Sequence, residues 1–301
     1  MLYKKYFNPL EKLVFRLFFF FFTFFAFFCE LPYLECASKW KLEGSYIGTG
    51  KAKMDEEEHK EEHISYSSSE IQASYTKKSN ETDGFTLGIS NATTKINWKE
   101  NPHFSKKNHS YIGLSLSGFS NKIPNWLWVG SIATKVDSEE LNFAHYALYQ
   151  GRMWGRYAYS QMIGIHIGLA GSTGLRRDKV YPILGIDYTP NAKWKIHFVF
   201  PLDLSANYSI NDYWSIAASG KIFRARHRLN QRENMSKGLF DYRTYGTELS
   251  LNYRLRSLLA KIYSGISYPG DLKISNYKGQ DPVFYKFKGS FYLGSNLTYG
   301  F

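Results

Sequence analysis

Histidines and clustered cations are the residues of this chain whose types and spacing could do chemistry, and each group points to a different function. His59-Lys60-Glu61-Glu62-His63 fits the spacing H-x-x-E-H, in which two histidines one helical turn apart hold Zn²⁺ and the glutamate serves as general base. The segment around it, Asp55 to Glu62, is an acidic low-complexity run with no apolar face to pack a helix. His59 and His63 are therefore weak metal candidates, expected at most to hold a divalent cation loosely, and no cofactor is expected. Arg224, Arg226, His227, Arg228 and Arg232 form a basic cluster whose guanidiniums can grip phosphate or sulfate bidentately. Arg176, Arg177 and Lys179 make a second, smaller one. A serine nucleophile would need a histidine and an acid beside it. Ser264, Ser290 and Ser295 have no histidine nearby, and His145, His166 and His197 stand on separate predicted strands. No catalytic residue is assigned.

The elements that must position these groups are strands. Leu202, Leu204, Ala206, Tyr208 and Ile210 alternate with Asp203, Ser205, Asn207, Ser209 and Asn211, which is a strand with one apolar face. The same period of two runs through Trp194 to Phe200, Leu249 to Leu255, Ile112 to Leu116 and Trp214 to Ala218. Short turn signals (Pro190-Asn191, Asn211-Asp212) separate some of these runs, and long polar stretches at 51–63, 100–109, 226–244 and 269–284 separate others. Short turns on one side and long loops on the other predict an all-β, antiparallel transmembrane barrel of about 12 strands, within a range of 10–14. Pro201 leaves open whether a turn or a bend lies there. On this pattern Lys193, Lys195, Lys221, Arg254, Arg256 and Lys261 face the lumen with Asp203 and Glu248, and the excess of cations there favours anions in an open pore.

Composition agrees with a barrel. Aromatic residues make up 18% and charged residues 21% of the 301 residues, and mean hydropathy is −0.38. A lipid-facing aromatic surface around a polar lumen gives that combination. Lys4, Lys5, Lys12 and Arg16 precede an apolar run from Leu17 to Cys29, then Pro32 and Cys36-Ala37-Ser38. That is the order of a secretory signal cleaved after Ser38, which leaves residues 39–301 as the barrel, free of cysteine. The net charge of +12 favours anionic partners. Nucleic acid is disfavoured, because the charge sits on a secreted scaffold rather than on a recognition module.

The chain ends Phe291-Tyr292-Leu293-Gly294-Ser295-Asn296-Leu297-Thr298-Tyr299-Gly300-Phe301, apolar at alternate positions back from Phe301 except Ser295. This resembles the terminal strand by which the barrel-assembly machinery recognises outer-membrane proteins, with Tyr299 and Phe301 as the signal. Residues 41–49 are the expected pairing partner, since a barrel closes only when its last strand meets its first. The stretch Tyr181-Pro182-Ile183-Leu184-Gly185-Ile186-Asp187-Tyr188-Thr189-Pro190-Asn191, with Trp194, Phe200-Pro201, Tyr208 and Trp214, resembles a family of uncharacterised Gram-negative outer-membrane β-barrels. The resemblance covers roughly residues 110–301. It implies a fold and an outer-membrane location and brings no activity. The functional expectation is porin-like passage of small, anionic solutes. The alternatives are a non-conducting surface barrel whose basic loops (Arg224, Arg226, Arg228, Arg232) bind lipopolysaccharide or host polyanions, and a barrel hydrolase.

Overall fold

The computed structural model describes residues 40–79, 82–143, 145–201 and 203–301. The expected leader, 1–38, lies outside them. Along the chain come β1 (Trp40–Thr49), β2 (Ala52–Lys53), β3 (His63–Lys78), β4 (Asp83–Trp98), β5 (Asn108–Ser120), β6 (Trp126–Asp137), β7 (Ala147–Ala158), β8 (Ile163–Gly174) and β9 (Lys179–Tyr188). They continue as β10 (Trp194–Phe200), β11 (Asp203–Ser209), β12 (Trp214–Arg228), β13 (Leu239–Leu255), β14 (Leu258–Ser267), β15 (Gly270–Ser275), β16 (Val283–Phe287) and β17 (Phe291–Gly300). No described helix is long and apolar enough to cross a membrane.

All neighbouring strands are antiparallel, and β17 pairs with both β14 and β1, so the sheet closes into a barrel of 14 strands with short extra pieces. That is the upper end of the expected range. The extra pieces prolong barrel strands above the wall. β14 and β15 share the partner β13 across a break at Tyr268-Pro269, and on their other side β15 pairs with β16 and β14 with β17. Lys41 stands opposite Gly300 and Thr49 opposite Tyr292, so the first and last strands close the ring as expected. Pro201 falls between β10 and β11, which makes it part of a turn between two strands.

The exterior is apolar. Ile132, Phe198, Leu249 and Ile262 are each more than 60% exposed and stand on the sheet face opposite the polar alternation. Such a surface is costly in water and matched to hydrocarbon. At the end of the barrel that holds Trp40 and Phe301, aromatic pairs stand in direct register. Trp40–Tyr75, Trp126–Tyr157, Trp194–Tyr208 and Trp214–Tyr253 have ring centroids 4.7–5.1 Å apart. A closed barrel with an apolar belt and an aromatic girdle is an outer-membrane protein, with the short turns, Trp40 and Phe301 on the periplasmic side and the long loops outside.

The extracellular half of the lumen is filled. Ile47, Met54, Ile64, Tyr66, Ile96, Trp98, Phe223, Phe240, Tyr242, Leu272, Ile274, Phe287 and Tyr292 form one buried cluster. The upper parts of β12 and β13 cross the mouth, for their inner face is buried throughout and the tip of their outer face is buried as well. Phe223, Ala225, His227, Phe240 and Tyr242 lie on one face, and Arg228, Leu239 and Asp241 on the other. Tyr242 stacks on Tyr66 of β3 at 4.8 Å, and Phe240 on Phe104 at 5.4 Å. His227 stacks on Tyr111 of β5 at 4.3 Å, and the Tyr111 hydroxyl donates to the Arg226 carbonyl at 2.6 Å. β5 and β12 are diametrically opposite on the ring, so these contacts pinch the lumen shut. Stretches 226–244 and 269–284, read from sequence as loops, are about half strand because their ends build this plug. Phe240→Ala, which empties a fully buried ring site, should cost about 3–5 kcal/mol, read as a lower urea midpoint in micelles.

Candidate functional site

β10 and β11 are only seven residues long. At about 3.3 Å per residue and a tilt near 40° that makes a wall about 18 Å high, lower than the apolar band of about 25 Å. β9 meets β10 only from Tyr188 to Leu184, and β12 meets β11 only from Ser215 to Ser219. Above the β10–β11 hairpin the upper ends of β9 and β12 therefore face each other across a recess, each with a backbone edge free of strand pairing. Open sheet edges are not left in contact with hydrocarbon, so this recess must be filled by water, protein or polar lipid heads.

The back of the recess is where the two basic groups of the sequence meet. Arg224 and Arg243 are direct cross-strand partners, and Arg226 faces Asp241 one step higher. Like charges directly opposite each other destabilise a sheet unless they are compensated. Asp241 accepts from Arg226 Nη1 at 3.0 Å, is ion-paired with Arg177, and lies 3.6 Å from Arg224 Nε. Arg243 reaches Asp271 at 3.1 Å, and Lys179 stands beside the cluster. Five cations thus share two carboxylates. Burial draws the Arg177 guanidinium below its ordinary value, Asp241 opposes this, and Arg224 and Arg243 add to it. Below the cluster the same sheet face carries the exposed Ile222 and Tyr245. Lower still is a groove on the outer wall, floored by Ala206, Ala218 and Gly220 and walled by Phe198, Leu204 and Leu249.

The other expected anion-binding residues go elsewhere. Arg228 is buried and donates to the carbonyls of His145, Lys237 and Tyr277, with its guanidinium 5.5 Å from the Tyr146 ring centre. It pins three loops over the plug. Arg232 is exposed in the loop after β12, away from strand register. Sequence reading missed Arg243 and Asp241. Both lie in the stretch read as a loop, where no strand register would have set them opposite Arg224 and Arg226.

Of the residues expected to line the lumen, Lys193 and Arg256 lie in periplasmic turns and correct that expectation, since a turn residue leaves the alternation that points side chains inward. Arg254 stands at the periplasmic end of β13. Lys261 is paired with Glu248 at 2.7 Å, and Glu248 also accepts from Ser219 at 2.9 Å. Lys221 and Lys261 lie 5.2 and 5.0 Å from the Tyr263 ring centre. Lys195 is on the inward face of β10, in the row of His197. The lumen also assembles a network the sequence did not show. Asp187 binds Arg156 at 2.7 Å, His166 at 2.9 Å and His197 Nδ1 at 2.8 Å, with Ser205 opposite His197 on β11.

The zinc-site geometry is absent. His59 ends a three-residue 3-10 turn while His63 opens β3 and is exposed, so the two do not share a helix face. Among the described residues no group of His, Cys, Asp and Glu is placed to hold a metal. His59 Nδ1 instead meets Glu62 at 2.5 Å, Trp98 Nε1 donates to the same carboxylate, and His103 Nε2 meets the Tyr285 hydroxyl at 2.7 Å. Burial pushes the Glu62 carboxyl up, but the bonds from His59 and Trp98 outweigh it and hold it below its ordinary value. Burial holds His103 below its ordinary value. Both depressed values mean that the segment binds protons more readily once it unfolds, so the packing of residues 55–62 against Trp98 and Tyr285 weakens as pH falls. Loosening should begin below about pH 6.5 through His103 and continue below about pH 4.3 through Glu62. Protease cleavage within residues 55–62 should rise over that window, and Glu62→Gln should flatten the acidic part.

No family model matches the chain, so the resemblance at Tyr181–Trp214 has no counterpart there. An uncharacterised protein of Chlamydia trachomatis serovar D is 24% identical over 241 residues, which is 73% of this chain and 75% of that protein. An uncharacterised protein of Chlamydia muridarum is 26% identical over 202 residues, 65% of this chain and 62% of that protein. Among solved structures, an outer membrane channel from Pseudomonas putida F1 is similar with TM-score 0.48 and 7% identity, over 90% of this chain and 100% of that one. A FadL homologue of Pseudomonas aeruginosa gives 0.40 and 8%, over 88% and 91%. LpxR from Salmonella typhimurium gives 0.38 and 7%, over 87% and 100%.

Proposed function

We propose that this chain is a non-conducting surface barrel that recognises phosphorylated or sulfated groups at its extracellular side through Arg177, Lys179, Arg224, Arg226 and Arg243. The observation that carries this reading is the folding of the upper β12–β13 hairpin across the lumen, with one face sealing the mouth and the other presenting the cations. A sealed mouth and paired luminal charges argue against passage of small anions in this conformation. Refolded protein in a planar bilayer should show no steady openings, and it should bind immobilised heparin and elute with salt as screening removes the attraction. Steady openings with anion preference would overturn the reading in favour of a pore filtered by Lys195, Lys221 and Lys261.

The Asp187–His197 pair opposite Ser205 favours a second reading, a hydrolase whose serine lies in the lumen. Fluorophosphonate labelling of Ser205 that His197→Ala abolishes would establish it. Absence of labelling is the expected result, since the Asp187 carboxylate is divided among three cationic or imidazole partners.

A further inference from the structure

We infer that the recess above the β10–β11 hairpin and the groove beneath it form one seat for a single phosphorylated glycolipid of the outer leaflet, with its phosphates on the cations and an acyl chain in the groove. The inference rests on the anion-recognition reading above and commits it to a ligand that arrives sideways from the membrane rather than from solution.

Three independent placements converge on such an occupant. The first is vertical order on one sheet face. The groove floor of Ala206, Ala218 and Gly220 comes lowest, the exposed pair Ile222–Tyr245 next, the pair Arg224–Arg243 above it, and Arg226–Asp241 above that. A phosphorylated lipid has the same sequence of chemistry, chain then headgroup. The second is the low wall. Because β10 and β11 stop at Phe200 and Asp203 while β12 and β13 continue upward, a lipid standing against this hairpin has its headgroup level with Arg224 and Arg243 on the taller strands. The third is charge. Asp241 and Asp271 neutralise two of five cations, and the surplus, including a directly opposed arginine pair, matches a doubly charged anion better than a single carboxylate. The groove is open at Gly220, where the nearest atoms to an added Cβ belong to Leu204 at 3.7 Å and beyond.

The test uses the full barrel extracted from outer membranes in mild detergent, with native mass spectrometry to read retained lipid and heparin binding read in parallel. The wild-type barrel should retain one phosphorylated glycolipid per chain. Gly220→Phe, which fills the groove and leaves the arginines untouched, should lose that lipid at least tenfold while keeping its affinity for heparin. Arg224→Glu with Arg243→Glu should lose both. Folding of each variant is checked by the faster gel migration of the unheated barrel. Heparin binding without retained lipid in the wild type would overturn the lipid seat and leave anion recognition standing. Lipid retention unchanged in Gly220→Phe would overturn the seat as placed here. Loss of neither ligand in the double charge reversal would overturn both.

Discussion

Removing the upper β12–β13 hairpin should turn a silent barrel into a conducting one. Phe223 and Thr244 are direct cross-strand partners, so residues 224–243 can be replaced by Asn-Gly, whose left-handed backbone preference closes a two-residue hairpin at that pair. The replacement takes away the rings that cross the lumen, Phe240 and Tyr242, and the His227 that rests on Tyr111. It spares the paired part of β12 and β13 that belongs to the wall. A barrel of this strand number has a lumen wider than side chains fill once no element lies across it. Steady single-channel openings are expected, with their ion preference set by the luminal groups around Glu248 and Asp187. The shortened protein remaining folded and electrically silent would show that the remaining loops, or the buried cluster on β1–β4, seal the mouth without the hairpin.

The wall of this barrel is legible in sequence, and its plug is not. Alternation at Trp194–Phe200, Asp203–Ser209 and Leu249–Leu255 places strands correctly because one face meets lipid and the other a polar lumen. The physical pressure there is uniform. Above the membrane it changes. On β12 from Phe223 to Arg228 and on β13 from Leu239 to Arg243 one face is packed on rings, and the other holds arginines bonded to carbonyls and carboxylates. Such a stretch reads as polar with scattered aromatics, which is also how a loop reads. The candidate site was half legible for the same reason. Arg224 and Arg226, and separately Arg177 and Lys179, stood out as basic clusters. Their convergence depends on Asp241, whose position opposite Arg226 follows from a strand register the sequence did not disclose. Likewise His166 and His197 looked scattered because Asp187, which joins them, lies on a third strand.

Asp241 should be the residue whose loss is felt most at the site, in two opposite senses. Its side chain is 9% exposed and lies within ion-pair distance of Arg177, Arg224 and Arg226, themselves 26%, 31% and 10% exposed. Asp241→Asn keeps the shape and removes the charge, so the cations are left facing one another in a poorly hydrated recess. Breaking a buried pair in this way costs about 3–5 kcal/mol. Because two of the arginines reach solvent, the lower figure, about 3 kcal/mol, is expected as a drop in unfolding free energy in urea. The same change should raise affinity for a phosphorylated ligand, since the ligand no longer competes with a resident carboxylate. Added polyphosphate should therefore recover more stability in Asp241→Asn than in the wild type, in proportion to the logarithm of its concentration over the dissociation constant. A variant as stable as the parent and indifferent to polyphosphate would mean that water already screens these cations. The cluster would then be a solvated patch, and anion recognition would have to be sought on the loops.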